Sequence, residues 1–575
     1  MTTARAAVLD EFLAHYYRRH PVTATFTGVH DYDDRLPHWS VSARGEEVGE
    51  MRALHAALAA AVPLPASGDA GLRDDDTSLD AELARANLEV RIAETESRFF
   101  HDRNPALWTG EAIFGCVSLM IRPFASLEAR VPLLCARLAA IPAFLSDMRA
   151  AITGPIPITW KARALRECVA AAALLEDGIP QWLASHAPST DRHSVVEAPS
   201  LRELALVRAA AGSAQQAFAE TARWLEGSAH AEENAYACGE PLLTLLVQRG
   251  HFIDDTPREL LARATHAMHE ARARLNEALV SIGGSWTAAQ AALAADHPAV
   301  DDYYHAFERR WREVHDAVIA ADVVTWPHWP IRYVPIPAWA RASQPQLYWL
   351  FYRSPAPFDA YGVYDYVVTP VDASMPAELQ ASRLAAWNHS AITLNHVVHH
   401  GGVGHHLQNW HSIHRSRSRI GTIAAVDAAS RIGMFLGGSM AEGWACYATG
   451  LTEELGLLTP LEQLSECHTR VRLLARAIVD LNLHLGAWSF DECVAYYMKE
   501  VGMASEVAVA ETTKNSMFPA TALMYWVGSQ GIVDLRARMR DAQGSAFSLR
   551  AFHDELLGRG AIPVPLVARL MMSKT

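Results

Sequence analysis

Eight histidines lie between His389 and His414, in a chain that holds 27 histidines among 575 residues. The densest part, NHVVHHGGVGHHLQNWH, runs from Asn395 to His411 and is interrupted by glycines. Neutral imidazole is the commonest nitrogen ligand of zinc and similar metals, and metal ligands must converge from nearby backbone positions. The cluster therefore predicts a site for one divalent or transition metal. Zinc suits the site best, and iron, manganese, nickel or copper are alternatives.

Helical spacing leaves more than one set of ligands open. His396 and His400 are four residues apart and would share a helix face, as the histidines of HExxH do. His399 and His406 are seven residues apart, which is nearly two turns. The glycines between them are poor helix formers that permit a kink or a bulge, and such a distortion could bring His399 close to His405 or His406. The isolated histidines of the cluster are expected to be ordinary structural or surface residues: His389, His411 and His414.

A glutamate further along the chain could complete the site. Glu442 lies in GSMAEGWACYATGL, whose apolar residues, among them Met440, Trp444 and Tyr447, predict a largely buried helix. A buried carboxylate needs a cation or hydrogen-bond donors. We therefore expect Glu442 to bind the metal, with a salt bridge to an arginine as the alternative.

The elements that must position these residues are mostly helices. Helical periodicity recurs along the chain, for example in VLDEFLAHYYRRH near the N-terminus and in the segment that ends at Gly227. No strand pattern recurs often enough to build a large sheet, so the sequence predicts a mainly α protein with a few short strands. Helices are interrupted between residues 323 and 370, where proline and aromatic residues are frequent.

The segment between residues 323 and 370 is predicted to contain short strands at YVPIP and YDYVV. It is expected either to line a cleft or to be a packed connector. If the segment lines a cleft, its aromatic residues would form a wall for a compact, aromatic or apolar substrate. Most of them could equally belong to the core. These residues are Trp326, Trp329, Trp339, Tyr348, Trp349, Phe351, Tyr361, Tyr364 and Tyr366.

The net charge of the chain limits the class of partner. The formal charge of -14 argues against nucleic acid or an anionic membrane as the main partner, so a small-molecule substrate is expected. A homodimer is compatible with the sequence.

The seven cysteines form no CxxC pair, and we find neither a signal peptide nor an apolar run long enough to span a membrane. These features predict a cytoplasmic protein with reduced thiols.

The motifs resemble those of DUF885, a bacterial family of domains of unknown function. HHGGVGHHLQ is similar to its HEGxPGHHLQ motif, MAEGWACYATGL to its EGWA segment, and FPATALMYWVGSQGIVDLR to its PGQALAYKIG segment. That family in turn resembles the thermostable-type zinc carboxypeptidases, which have a large helical, two-lobed cleft fold. We expect residues 1–320 to form one wall of the cleft and residues 321–575 to form the metal-site lobe, within one continuous structural unit.

The resemblance implies a role for each matching residue. His399, His405 and Glu442 would hold the metal, and the hydroxyl of Tyr525 would stabilise an oxyanion. Helical phase favours His406 over His405, whereas the motif alignment favours His405. We choose His405 as the ligand and assign His406 to the catalytic surroundings as a supporting or alternative ligand.

Several residues differ from the family's motifs, and these differences bear on the reaction that we expect. His400 stands where the family has the glutamate that would act as general base. The family's proline is replaced by Val403, and its glycine, glutamine and lysine by Ala520, Thr521 and Trp526. These residues predict a metal-dependent hydrolase with His400 as its base, acting on a small, non-peptide or modified amide-type substrate. The alternatives are a lyase or oxidoreductase with a nitrogen-rich metal site, and a catalytically inactive relative that binds a ligand or a metal.

Overall fold

The computed structural model describes residues 2–61, 76–185, 200–231, 233–282, 284–344, 352–360, 363–429 and 431–573. Helices dominate these residues, as the periodicity predicts. The α-helices of the first half are α1 (Thr2–Arg19), α2 (Pro21–Thr27), α3 (Val41–Ala61), α4 (Asp76–Glu96), α5 (Pro105–Met120), α6 (Leu127–Ala151), α7 (Ile158–Ala173), α8 (Ile179–Ser185), α9 (Leu201–Gly227), α10 (Glu240–Leu245), α11 (Pro257–Ser281), α12 (Trp286–Ala295) and α13 (Tyr303–Ala320). The predicted end at Gly227 is confirmed.

The second half is also helical. Its α-helices are α14 (Ala338–Arg341), α15 (Ala377–Ala386), α16 (His389–Ala391), α17 (His405–His414), α18 (Arg419–Ile423), α19 (Gly438–Glu454), α20 (Pro460–His484), α21 (Phe490–Val501), α22 (Ser505–Met517), α23 (Leu523–Gln543), α24 (Leu549–Gly558) and α25 (Val564–Met572). Wider π-helical turns occur at Leu174–Gly178, Leu246–Gly250 and Ile392–Gly401.

The proline-rich segment supplies the two strands found in the described residues. β1 (Ile331–Pro335) pairs in parallel with β2 (Tyr364–Val368). The second strand is the predicted YDYVV segment, and the first overlaps the predicted YVPIP segment. Pro335 stands at the last position of β1, where its missing N–H costs little in pairing. The mainly α architecture with a few short strands is therefore confirmed.

Two large hydrophobic clusters form most of the core of the described residues. One combines α5 to α7 with α20 to α23, and includes Trp108, Trp160 and Leu523. The other combines the N-terminal helices with the β-strands and α19, and includes Phe12, Tyr366 and Trp444. Each cluster draws residues from both sides of position 320, so the division of the chain at that position stays a prediction.

Among the described helices, α6 alone is long and apolar enough to cross a membrane by length and composition. Core helices pass the same test, and α6 packs against α5 and α9. Its interior also holds two prolines, Pro132 and Pro142. The length and composition of α6 are therefore weak evidence for a membrane span.

A strained residue precedes α23. Ala520, which stands at the family's glycine position, has a φ of 61°, in the left-handed region that favours glycine. The buried side chains of its neighbours hold this conformation. The N–H of Ala520 donates to Asp480 Oδ1 at 3.3 Å, and its carbonyl accepts from His251 Nε2 at 2.9 Å. We conclude that side-chain hydrogen bonds maintain a turn that the sequence itself no longer favours.

Ala520→Gly is expected to change the free energy of unfolding by less than about 0.5 kcal/mol. Relief of about 1–2 kcal/mol of left-handed strain offsets the loss of one buried methyl group and the added freedom of the unfolded chain. Ala475→Gly is the matched control, because Ala475 is also fully buried but lies inside α20. It should lose about 1–2 kcal/mol in urea unfolding. Equal losses of unfolding free energy in the two variants would show that the backbone at Ala520 is not strained.

Candidate metal site

The histidine motif is divided between a π-helical segment and an α-helix. His399 and His400 lie near the end of the π-helical segment Ile392–Gly401, and His405 is the first residue of α17. His396 lies in the same π-helical segment, but its Nδ1 atom bonds to the hydroxyl of Tyr366 at 2.6 Å and its ring stacks on Trp387. His396 is therefore not one of the histidines that are grouped with His400.

The glycines let the two halves approach closely. The N–H of Gly404 donates to the carbonyl of Val398 at 2.8 Å. A Cβ atom at Gly404 would lie 2.0 Å from the carbonyl oxygen of His399, which no other residue could tolerate. The turn thus requires glycine, and it sets the ring centre of His405 4.9 Å from that of His399. The distortion predicted at the glycines is present and joins these two histidines.

Two tryptophans fix the glycine turn from outside. The indole N–H of Trp444 donates to the carbonyl of Val403, and that of Trp311 donates to the carbonyl of Gly401, both at 2.8 Å. Trp444 follows Glu442 by two residues on α19. The hydrogen bond from Trp444 therefore ties the helix that carries the glutamate to the turn that carries the histidines.

The residue between them, Gly443, sets the position of α19 against α23. A Cβ atom at Gly443 would lie 2.5 Å from the carbonyl carbon of Gly528 on α23. A Cβ atom at Gly528 would lie 2.0 Å from the carbonyl oxygen of Ser439 on α19. The EGWA segment thus combines a candidate ligand, a close helix crossing and an indole that reaches the glycine turn.

Gly443→Ala is expected to lower the free energy of unfolding by about 1–3 kcal/mol, because the added methyl group pushes two packed backbones apart. Gly450→Ala is the matched control on the same helix. Its new Cβ atom would meet only the end of the flexible Arg470 side chain, at 3.0 Å. It should be neutral or stabilise the protein by up to about 1 kcal/mol. Urea unfolding of both variants measures the difference, and similar midpoints would disprove the close crossing.

Glu442 completes the cluster. Its Oε2 atom lies 3.4 Å from His399 Nε2 and 3.5 Å from His405 Nε2. This oxygen is buried and has no hydrogen-bond partner among the described residues. The nitrogen–oxygen distances exceed the roughly 2.7–2.9 Å of a charge-assisted hydrogen bond. They match the separation of about 3.4 Å between ligand atoms around a tetrahedral zinc ion with bonds of about 2.1 Å. The spacing of these three atoms therefore suits ligands of one zinc ion better than it suits direct hydrogen bonds between the side chains.

The protonation of His399, His405 and Glu442 depends on their burial and on their contacts with one another. The side chains of His399, His405 and Glu442 are 15%, 13% and 18% exposed, so solvent reaches part of each. Burial alone would raise the pKa of Glu442, but the two imidazoles hold it well below its ordinary value. Burial lowers the pKa of His399, whereas contact with Glu442 outweighs burial and raises the pKa of His405.

His400 belongs to the same cluster. One ligand-capable atom from each of His399, His400 and His405 lies within 4.8 Å of the others. The Nδ1–H group of His400 donates to the carbonyl of Asn395 at 2.7 Å, which leaves Nε2 as the nitrogen with a free lone pair. Burial keeps the pKa of His400 well below its ordinary value. A lone pair in this place suits a base and also suits a metal ligand.

His406 lies outside the cluster, and its assignment to the catalytic surroundings needs correction. Its Nε2–H group donates to the carbonyl of Trp329 at 2.9 Å, and its Nδ1 atom bonds to the hydroxyl of Tyr352 at 3.1 Å. The ring also stacks on Trp329 and is fully buried. Because both nitrogens are engaged, His406 offers no lone pair to a metal or to a substrate. The geometry thus favours His405 over His406 as the ligand.

Tyr525 lies on α23, the helix that crosses α19 at Gly443. The guanidinium carbon of Arg476 lies 4.6 Å from the centre of its ring. Arg476 is itself paired with Glu511 at 3.1 Å. The next residue, Trp526, lines a separate open cleft beside Arg263. The role of Tyr525 at an oxyanion stays a prediction.

The aromatic residues of the proline-rich segment are divided between core and surface. Trp326, Trp339 and Tyr366 are buried in the core. Trp329 and Tyr364 line an open cleft of about 490 Å³. The predicted aromatic wall is therefore partly core. The remaining predicted wall residues fall outside the described residues: Tyr348, Trp349, Phe351 and Tyr361.

Comparison with known proteins identifies relatives over nearly the whole chain. Residues 21–571 match the model of the family described as "Bacterial protein of unknown function (DUF885)". Two solved structures share the fold over 99% of both chains. One, from Shewanella oneidensis, is 20% identical with a TM-score of 0.74, and the other, from Colwellia psychrerythraea, is 15% identical with a TM-score of 0.71. No curated protein matches the chain. These identities show the fold alone.

The comparisons overturn the predicted cytoplasmic location. Both solved structures are described as a "putative lipoprotein", and the one from Shewanella oneidensis is further described as being of unknown function. The prediction of a cytoplasmic protein rested on unpaired cysteines, on the lack of a recognised signal peptide and on the lack of a long apolar run, and the cysteines were its argument for a reducing compartment. That argument was weak, because four of the seven thiols are buried in the helical core and a buried thiol needs no partner in any compartment.

Proposed function

Because the chain belongs to DUF885, a bacterial family of unknown function, we propose a function from the site itself: a metal-dependent hydrolase acting on a small, non-peptide or modified amide-type substrate. The observation that carries the proposal is the buried Oε2 atom of Glu442, which lies near the Nε2 atoms of both His399 and His405 and has no hydrogen-bond partner in the part of the chain that the structure describes. Two imidazoles and one carboxylate are the ligand set of many catalytic zinc sites, and they leave one position open.

Each residue has a part in the proposed reaction. His399, His405 and Glu442 would hold the metal, with zinc preferred. A divalent metal supplies Lewis acidity that polarises a carbonyl and acidifies water. His400 Nε2 would take a proton from the attacking water, while its hydrogen bond to Asn395 keeps the ring oriented. Tyr525 would donate to the developing oxyanion.

The proposal includes the likeness to the thermostable-type zinc carboxypeptidases, as a helical cleft fold with altered chemistry. Substitution of the motif glutamate by His400 and of the motif lysine by Trp526 supports a substrate other than an ordinary peptide. Efficient metal-dependent release of C-terminal amino acids from varied peptides would refute this choice of substrate.

A second candidate function has an observation of its own. Since His400 shares the 4.8 Å cluster, it could become a third imidazole ligand. A nitrogen-rich centre of this kind suits iron, copper or nickel, and hence lyase or oxidoreductase chemistry. An inactive relative that only binds a metal or a ligand is the remaining alternative.

A thermal-shift screen tests the hydrolase proposal. Tag-free protein, stripped of metal and reloaded with zinc, is screened against N-acyl and aryl amides, and the compounds that bind are then assayed for hydrolysis. A ligand that binds the folded state raises the unfolding temperature. We expect stabilisation and hydrolysis that both require zinc. Hydrolysis that persists without metal, or that is unchanged in Glu442→Ala, would refute the proposal.

A further inference from the structure

An open cleft of about 490 Å³ lies near the N-terminal ends of β1 and β2. Trp329 and Tyr364 contribute aromatic rings to its wall, and Pro357 and Ile413 contribute apolar surface. The two aromatic rings lie edge to face, with centres 4.7 Å apart. Ligand pockets have volumes of about 300–1,000 Å³ and combine apolar and aromatic walls with a few polar groups. The cleft therefore has the size and the lining of a binding site for a small molecule.

This cleft is separate from the histidine cluster. The candidate metal ligands do not occur among the described residues that line it. Ile413 follows His405 by eight residues on α17, and eight residues span about 12 Å of an α-helix. A ligand in the cleft therefore occupies a different place from a metal ion held by His399, His405 and Glu442.

Asp359 brings a carboxylate to the cleft. It is the one acidic residue among the described lining residues, which include neither lysine nor arginine. Asp359 Oδ1 accepts from His30 Nε2 at 2.9 Å, and His30 Nδ1 donates to Asp33 Oδ2 at 2.7 Å. Burial lowers the pKa of His30, but its hydrogen bonds to the two carboxylates outweigh burial and raise this pKa to about 9. His30 is therefore an imidazolium at neutral pH.

The charges behind Asp359 alternate in sign. Arg137 lies 3.7 Å from Asp33, and both of these side chains are fully buried. From the core outward, the charged groups follow in the order Arg137, Asp33, His30 and Asp359, so the series presents its negative end to the cleft. A cation in the cleft extends the alternation, whereas an anion would face the Asp359 carboxylate directly.

The loop that carries Asp359 is held in place. Gly28 has a φ of 87°, and a Cβ atom there would lie 2.9 Å from the backbone nitrogen of Asp359. Glycine at position 28 thus lets the loop approach the end of α2 closely, and the N–H of Phe358 donates to the carbonyl of Thr27 at 3.1 Å. A group that is held before the ligand arrives loses little conformational entropy on binding. The Asp359 carboxylate is therefore preorganised.

The aromatic wall suits a cation whose charge is surrounded by carbon. The face of an aromatic ring carries a partial negative charge, and Trp and Tyr rings attract ammonium groups. Aromatic side chains are the usual means by which proteins recognise quaternary ammonium ligands. Trp329 and Tyr364 supply such rings, and Asp359 supplies the opposite charge in the same cleft.

We infer that this cleft is a second binding site, separate from the metal site, and that its ligand is a small organic ammonium ion. Asp359 meets the positive charge, and the rings of Trp329 and Tyr364 contact the carbon atoms around the nitrogen. Binding in this cleft requires neither the metal nor hydrolysis, so the inference does not rest on the proposed function.

Calorimetry with two probes of equal shape tests this inference on the full-length, zinc-loaded protein. Choline carries a quaternary ammonium group, whose nitrogen has no lone pair for zinc, and the neutral dimethylbutanol has a carbon atom in place of that nitrogen. We expect choline to bind about tenfold more tightly, from a cation–π contact and one ion pair. Asp359→Asn should abolish the preference. Asp365→Asn is the matched control, because Asp365 lies on the opposite face of β2, in an exposed ion pair with Arg332.

A second pair of variants tests the aromatic wall, and it decides the matter if Asp359→Asn does not fold. Tyr364→Leu keeps apolar bulk without a ring, whereas Tyr364→Phe keeps the ring. We expect Tyr364→Leu to bind choline about twofold to fivefold more weakly than Tyr364→Phe, the scale of one exposed cation–π contact. The two variants should bind dimethylbutanol alike. Equal affinities for choline would overturn the inference.

The remaining outcomes separate this inference from the hydrolase proposal. Glu442→Ala should lose metal and hydrolysis but keep the preference for choline. Loss of that preference in Glu442→Ala would place the cation at the metal site and overturn the inference. No preference in the parent, no binding of choline at millimolar concentration, or an unchanged preference in Asp359→Asn would each overturn it as well. A choline preference in a parent protein without any hydrolytic activity would refute the hydrolase and leave the inference standing.

Discussion

His400→Ala is expected to retain about one metal ion per chain and to lower kcat/KM at least about a hundredfold, the usual scale of a general base. The reason is the division of labour within the cluster. Glu442 contacts His399 and His405, at 3.4 and 3.5 Å, and these three residues can hold the metal without His400. The lone pair on His400 Nε2 is then available to take a proton. Metal analysis beside steady-state kinetics measures both quantities on one preparation.

The rival assignment makes a different prediction for the same variant. If His400 is a ligand, His400→Ala should lose metal as well as activity. His414→Ala is the matched control, because His414 lies in the same histidine-rich segment but, among the described residues, hydrogen-bonds only to the carbonyl of Trp410 and stacks on the Trp410 ring. It should change neither quantity. His400→Glu restores the family motif and should preserve some hydrolysis. Full metal content without hydrolysis of any substrate of the parent would favour the nitrogen-rich, non-hydrolytic alternative.

Glu442→Ala is expected to reduce the metal content from about one equivalent to well below one. Glu442 supplies the only carboxylate oxygen that lies within 4 Å of the two histidines among the described residues. Two imidazoles alone form a weak site, because the ion then lacks a compensating negative charge in a buried place. Elemental analysis of tag-free protein, purified without chelator, measures the metal content.

Two further variants make the result specific. Glu442→Asp keeps the charge but withdraws the oxygen by one methylene, so we expect weakened metal binding. Glu454→Gln lies on the same helix, in an exposed ion pair with Arg536, and should keep the metal. Metal that stays at one equivalent in Glu442→Ala would show that the carboxylate is no ligand.

Sequence patterns sufficed for the parts of the site that lie close together in the chain. The glycines predicted a break between His399 and His405, and the break is present. Only glycine fits at position 404, because a Cβ atom there would lie 2.0 Å from the carbonyl oxygen of His399. The apolar surroundings of Glu442 predicted a buried helix, and α19 is one. In both cases the relevant contacts lie within a few residues.

Other parts depend on contacts that local patterns do not encode. The choice between His405 and His406 follows from the bond of Gly404 to Val398 and from the engagement of His406 by Trp329, which lies 77 positions away. A π-helical turn differs from an α-helical one by a single extra residue, so the hydrophobic periodicity of the segment does not indicate it.

Anomalous diffraction at the zinc absorption edge, on crystals of the zinc-loaded protein, tests the central claim most directly. The proposed metal site predicts one strong peak per chain, about 2.0–2.2 Å from His399 Nε2, His405 Nε2 and a carboxylate oxygen of Glu442. His400 Nε2 should lie one water molecule away from the peak, not bound to it. A peak elsewhere, or no peak within bonding distance of these three residues, would contradict the claim.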